Sequence, residues 1–311
     1  MVHSFQKDKK MQDKQRGCLI GLAVGDALGA AVEFRSPGSF PPVTCYRDGG
    51  PHNLDAGQWT DDTSMALALA DSLGRGWSLK DQMEQYVRWY EDGEYSVNGR
   101  CFDIGCTTRT ALEGYMSGES VHFCGPSSPE YSGNGSIMRL APVPMKYGSL
   151  YRDGNFLGLA RLGGESSLPT HGSNQCISAC EYLTMVLAAL MSGETRENVL
   201  DPEWPTLKNI ESDLDPLVLN VAKGSFRTSG KIKGSGWVIA CLEAALWAFH
   251  DAKNFEEAVL KAVNLGDDAD TTGAVCGQLA GAFWGESGIP ESLRSGLARM
   301  DMIERAISSL E

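Results

Sequence analysis

Gly266-Asp267-Asp268-Ala269-Asp270-Thr271-Thr272-Gly273 places three carboxylates and two hydroxyls within six positions, just ahead of an apolar segment where glycine returns at Gly277, Gly281 and Gly285. In an extended chain these charges only repel. Gathered in a fold they need a counter-charge, and carboxylate and hydroxyl oxygens are hard ligands that suit Mg²⁺, Mn²⁺ or Ca²⁺ better than a soft metal. The same residue types also favour a helix N-terminus, where they accept bonds from free N–H groups. The segment alone leaves both readings open. A second cluster of this kind lies far upstream, where Trp59-Thr60-Asp61-Asp62-Thr63-Ser64 opens the helical run Met65-Ala66-Leu67-Ala68-Leu69-Ala70.

The four-residue glycine spacing recurs near the start, at Gly21, Gly25 and Gly29. Each glycine costs a helix about 1 kcal/mol relative to alanine, so three at one spacing suggest a face that another backbone approaches closely. A four-residue step turns about 400° around a helix, which winds such a stripe slowly. We expect the two striped helices to cross, carrying Asp26 and Glu33 towards the acidic cluster. The competing reading is a run of small buried residues.

The other segments are of helical length and bounded by Gly, Pro or Ser. Helices are expected at residues 14–34, 79–90, 107–116, 174–191 and 255–263, with another opening at Gly234-Ser235-Gly236-Trp237 and a last one near Pro290. The Pro- and Gly-rich residues 36–58 read as a loop. No strand alternation appears, so the chain reads as all-α, a single compact helical domain over residues 15–311, with residues 1–14 as a flexible charged tail. No fixed-period repeat is visible.

A net charge of −13 makes nucleic acid an unfavourable partner. The polar start to Arg16 lacks the apolar core of a secretory signal, and Asp26 and Glu33 interrupt the most apolar early stretch, so no membrane segment is expected. Nine cysteines at irregular spacing fit reduced thiols in a cytoplasm. His171, Cys176 and Cys180 lack the second ligand pair of a zinc site. A monomer is expected. Gly133-Asn134-Gly135-Ser136 reads either as an anion-binding turn, with Ser136 capping a short helix that ends near Pro142 or Pro144, or as an ordinary tight turn.

Taken in order, the motifs resemble the ADP-ribosylglycohydrolase family, nearest the bacterial dinitrogenase-reductase-activating type. They are Gly25-Asp26-Ala27-Leu28-Gly29 with Glu33-Phe34, Trp59-Thr60-Asp61-Asp62-Thr63, Phe102-Asp103-Ile104-Gly105, Gly133-Asn134-Gly135-Ser136 with Met138-Arg139, Thr170-His171, and Gly266-Asp267-Asp268-Ala269-Asp270-Thr271. The resemblance covers residues 17–285. It implies an all-helical fold with two Mg²⁺ or Mn²⁺ ions in a central cleft, and hydrolysis of an ADP-ribose glycosidic bond. One ion would be held by Thr60, Asp61, Asp62 and Asp270, the other by Asp61 or Asp62 with Asp268, Asp270 and Thr271. Asp267 is left to an outer position or a cap. Asp103 and Glu33 correspond to candidate acid/base residues, unranked between them. The Asn134-Gly135-Ser136 turn would cradle the diphosphate, and His171 would line the ribose pocket, its alternative being a satisfied core histidine. Trp237 stands where relatives often carry Tyr and would stack on adenine or ribose, or serve as a plain core Trp.

The implied partner is an ADP-ribosylated protein, modified on arginine. Alternatives are O-linked ADP-ribose on serine, a nucleic-acid or metabolite linkage, and a non-catalytic ADP-ribose-binding relative. A two-metal phosphoesterase of unrelated fold is disfavoured by the scarcity of His among the acidic motifs.

Overall fold

The computed structural model describes the backbone of residues 2–311 and the side chains of residue 6 and residues 8–311. Among these residues the chain is helical, with two isolated β-bridges and no sheet. The order begins α1 (Val2–Gly29), α2 (Asp61–Gly74), α3 (Leu79–Asp92), α4 (Cys106–Met116), α5 (Val121–Cys124), α6 (Pro142–Tyr147) and α7 (Ser149–Arg152). It continues through α8 (Phe156–Ser167), α9 (Asn174–Ser192), α10 (Arg196–Val199), α11 (Pro216–Ala222), α12 (Val238–Phe249) and α13 (Phe255–Val263). The chain closes with α14 (Ala269–Trp284), α15 (Glu291–Gly296) and α16 (Met300–Leu310).

The two glycine-striped helices are the axis of the fold. A Cβ added to Gly25 would fall on the carbonyl of Gly273, and one added to Gly21 on the carbonyl of Gly277. The glycines of α14 meet α1 in the same way, Gly277 on Gly21 and Gly281 on Gly17. The numbers run in opposite senses, so α1 and α14 are antiparallel. Their backbones touch where side chains ordinarily hold helices about 8–10 Å apart. The expected crossing is present, and it delivers Asp26 and the end of α1 to the head of α14. Buried apolar side chains of α9 pack on α1, α8, α12 and α14. By length and composition α9 could cross a membrane, but here it is a core helix, 78% buried over its most apolar window.

Several helices start with a side-chain cap. Ser78 Oγ accepts from Asp81 N (3.2 Å), Ser173 Oγ from Cys176 N (3.3 Å) and Asn254 Oδ1 from Glu257 N (2.8 Å). Gly93 and Gly193 end α3 and α9 in the left-handed conformation. Thr60 and Asp268, the N-caps of α2 and α14, are different: neither side chain accepts from a backbone N–H of its own helix.

Three expectations need correction. The first helix begins at Val2, and residues 8–14 of the expected tail are part of it; Met1 lies outside the described residues. Long-range partners hold this stretch. Lys14 is buried, with Nζ donating to Leu190 O (2.7 Å) at the end of α9, and Arg16 joins Glu286 and Glu304 (2.6 Å each). Ser136 opens no helix. Residues 135–139 are turns, and α6 begins at Pro142, whose fixed φ and missing N–H suit the first helical position. The helix α8 was not anticipated; it packs on α9 through Gly163 and Gly164.

Candidate active site

Asp26 organises the start of α2. Its Oδ1 accepts from Thr60 N and Oγ1 (both 2.9 Å), and its Oδ2 from Thr63 N (3.0 Å) and Oγ1 (2.6 Å). A carboxylate from α1 thereby does the capping that Thr60 does not. Thr60 Oγ1 also lies 3.2 Å from Asp62 Oδ2 and 3.3 Å from Asp270 Oδ2, and Thr271 Oγ1 is 3.3 Å from Asp62 Oδ2. The heads of α2 and α14 are thus in contact. A hydroxyl has one proton, and Thr60 gives its proton to Asp26 at the shortest of its three approaches. Its other two contacts are oxygen against oxygen with too few protons to join them.

The rest of the cluster shows the same deficit. Asp62 Oδ1 and Asp270 Oδ1 are buried without a hydrogen-bond partner, and oxygens of Asp26, Asp62 and Asp270 lie within 4.8 Å of one another. Burial, then the neighbouring carboxylates, raises Asp61, Asp62 and Asp270 well above the usual carboxylate range, and burial raises Asp26 to about 6. Such buried acceptors take up either protons or a cation, and hard oxygens gathered at helix heads fit a divalent cation. Asp268 joins from the N-cap of α14, its Oδ2 accepting from Asn134 Nδ2 (2.9 Å) instead of a helix N–H. That answers the capping alternative for this residue.

A second acidic group stands beside the first. Phe34 N donates to Asp267 O and Asp267 N to Arg35 O (both 2.7 Å), which pins the end of α1 to the segment before α14. Asp267 acts through this backbone clamp. Glu33, held there, is 5% exposed. Burial, then Asp103 and Asp268, pushes its carboxyl up to about 10. Asp103 follows from the segment before α4, with its backbone at φ 61°. Both acids meet His52, whose Nε2 lies 3.2 Å from Glu33 Oε2 and 2.9 Å from Asp103 Oδ1.

Members of both groups meet in one cleft of about 260 Å³, walled by Glu33, Asp61, Asp103, Asn134, Gly135, His171, Asp268, Asp270 and Thr271 among others. Asn134 N donates to Gly236 O (2.9 Å), tying the glycine turn to the segment before α12. His171 is buried against that turn, where a Cβ on Gly135 would strike its ring. Behind it, Arg139 Nη2 donates to Thr170 Oγ1 (2.7 Å), which lies 2.8 Å from His171 Nδ1. Thr170 accepts from Arg139, and His171 Nδ1 is the acceptor its own proton meets among the described residues, so we assign the ring hydrogen to Nε2. A larger groove, about 810 Å³, lies between α1 and α16; it is lined by Lys9, Arg16, Met145 and Leu310 among others and is remote from these motifs.

Of the residues singled out from the sequence, Thr60, Asp61, Asp62, Asp268, Asp270 and Thr271 converge, with Glu33 and Asp103 alongside. Asn134, Gly135 and His171 line the cleft. Ser136 is buried off the cleft wall, and Trp237 is half-exposed beside it, Nε1 donating to Gln175 Oε1 (2.8 Å). His52 was missed, for a lone histidine in a Pro- and Gly-rich loop has no spacing partner. Asp26 was noticed as a buried acid but not as the cap of α2.

Comparison with known proteins finds relatives along nearly the whole chain. The chain is 39% identical to an ADP-ribosylarginine hydrolase of Pseudomonas putida, over 96% of this chain and 78% of that one. It is 30% identical to an ADP-ribosyl-[dinitrogen reductase] glycohydrolase of Rhodospirillum rubrum, over 96% and 94%. A solved structure described as an ADP-ribosylglycohydrolase-related protein complex superposes with a TM-score of 0.84 at 39% identity, covering 97% of this chain and 98% of that one. The family model for ADP-ribosylglycohydrolase matches residues 7–311, and the chain belongs to the ADP-ribosylglycohydrolase family.

Proposed function

We propose that this chain hydrolyses the N-glycosidic bond between C1 of the distal ribose and an arginine nitrogen, freeing ADP-ribose from modified protein. The observation that carries the reading is the Glu33–Asp103 pair set beside the oxygen cluster in one cleft, in a chain akin to a named arginine hydrolase. A protein that had lost catalysis would have no need to keep so many carboxylates buried together.

Thr60, Asp61, Asp62, Asp268, Asp270 and Thr271 would hold two divalent cations, Mg²⁺ or Mn²⁺. When bound, these supply Lewis-acid polarisation of water and orientation of the ribose hydroxyls. The protein's own groups do the rest. The C1–N bond breaks through an oxocarbenium-like state, which carboxylates across the cleft stabilise. The departing nitrogen takes a proton, and water gives its oxygen to C1 and its proton to a base. Burial, then Asp103, raises the Glu33 carboxyl in the metal-free cleft, which suits it as the donor, with Asp103 beside it as the proton acceptor. His171 Nε2–H presents a neutral donor to an oxygen of the sugar or diphosphate, and Gly135 leaves room for that approach. The unpaired thiols of all nine cysteines accord with a cytoplasmic setting.

The test is release of ADP-ribose from arginine-linked, serine-linked and nucleoside-linked substrates with Mg²⁺ or Mn²⁺. Turnover of the arginine linkage, abolished by EDTA and crippled in Asp270→Ala, is expected. Equal rates with and without EDTA would remove the cations from the mechanism, and preference for the serine linkage would change the substrate class.

A further inference from the structure

The loop between α1 and α2 has a fixed shape around one residue. Gly49 and Leu54 exchange backbone bonds (2.8 and 2.9 Å), closing a small hairpin with His52 near its tip. Gly50 at φ 72° lies against the end of α1, where a Cβ would fall on the carbonyl of Ala30. The hairpin is thereby tied to the chain segment that carries Glu33. The His52 side chain is 20% exposed, and its ring lies 5.3 Å from that of Phe102, the neighbour of Asp103.

We propose that His52 is a positioning residue of the hydrolysis: its Nε2, hydrogen-bonded to Glu33 Oε2 and 2.9 Å from Asp103 Oδ1, fixes the two carboxyl groups relative to each other and to the cleft. The proposal rests on the acid/base reading of that pair. Two carboxyl groups converging on one point need a polar group between them to keep a fixed arrangement, and the His52 ring nitrogen, within 3.2 Å of both oxygens, supplies it. Among the described residues, His52 is the one nitrogen donor within reach of Asp103. Asp103 needs such a tether because it sits in an irregular segment, outside any helix. His52 is absent from the cleft wall, which separates it from groups that touch substrate.

The experiment compares kcat and KM for an ADP-ribosylarginine substrate at saturating Mn²⁺, together with thermal midpoints and bound-metal content. His52→Ala should lower kcat about 10- to 100-fold while KM shifts by less than about threefold, as for partners that orient a reacting group. His52→Gln, which keeps an amide N–H, should recover part of the loss at an unchanged midpoint. In an Asp103→Asn background, followed by single turnover, His52→Ala should cost less than about twofold, because the interaction is already broken. Full kcat in His52→Ala, or the same fold loss in both backgrounds, overturns the proposal. So does an ion lost stoichiometrically with His52, which would make it a ligand. An inactive wild type sinks the hydrolase reading, and this inference with it; an active wild type indifferent to His52 sinks the inference alone.

Discussion

Arg139 has donors and no acceptor, so each of its bonds fixes the proton of whatever it touches. Here it touches Gly135 O (2.9 Å) and Thr170 Oγ1, under the face of Tyr86, and through Thr170 it sets the tautomer of His171. With five histidines in the chain, ¹⁵N spectra of the rings are assignable by single substitutions. We expect His171 in the Nε2–H form, unchanged from pH 5 to 8, and a mixture of forms in Thr170→Val; an Nδ1–H ring in the wild type would break the argument. Burial, then Arg139, holds the His171 pKa at about 3, whereas the unfolded chain titrates near 6.5. Between those values only the unfolded state takes the proton, so this contribution to stability is whole above about 6.5 and is lost as pH falls towards 3. His171→Gln should therefore flatten the pH dependence of the thermal midpoint between pH 5 and 7; a parallel curve would show that the ring titrates alike in both states. The sequence made His171 legible through the Thr170-His171 motif, but Arg139 was only a letter beside a glycine turn. Its role depends on a hydroxyl thirty-one residues away, which no local pattern encodes.

At the level of helices, the four-residue glycine rhythm was the most informative feature of the sequence, since only a backbone contact explains three costly glycines on one face. It gave the crossing of α1 and α14, and the acids at their ends gave the location of the cleft. What it did not give was the N-terminal extent of α1: Lys10, Asp13 and Lys14 look like a solvated tail until Lys14 finds the carbonyl of Leu190 across the fold. Charge patterns report exposure only when no distant partner waits. The hairpin of His52 was hidden for the opposite reason, because Pro and Gly announce irregularity without saying whether it is fixed. The crossing is testable at Gly277, away from the acids. Gly277→Ala places a methyl against the carbonyl of Gly21 and should destabilise by about 1–3 kcal/mol or more as the helices are forced apart, lowering the midpoint by about 1.5 °C per kcal/mol in a chain of this length. A midpoint equal to wild type would mean the helices separate freely.

Across the whole molecule, the fold brings like charges from distant parts of the chain together. Thr60 and Asp62 meet Asp270 and Thr271 across 210 and 209 residues, and the meeting point is buried. Without a cation the carboxylates there repel, and burial pushes Asp62 and Asp270 towards protonation. Such a site weakens the metal-free protein and strengthens the loaded one, because a ligand that binds only the folded state stabilises it by mass action, about 2.7 kcal/mol at a hundred times its Kd. We therefore expect Mn²⁺ or Mg²⁺ to raise the thermal midpoint by about 4 °C for one ion or about 8 °C for two, with EDTA reversing it. Asp62→Asn separates the cation account from a purely structural one. The amide removes a charge and brings N–H donors to a cluster in which Asp270 Oδ1 has none. If the cluster is a cation site, the variant should melt higher than wild type in EDTA and lose its response to metal. If the acids serve the fold by themselves, as caps and hydrogen-bond acceptors, Asp62→Asn should instead melt lower in EDTA, with wild type indifferent to the ion. The two accounts predict opposite signs for one measurement, and the protonless contacts around Thr60 favour the first.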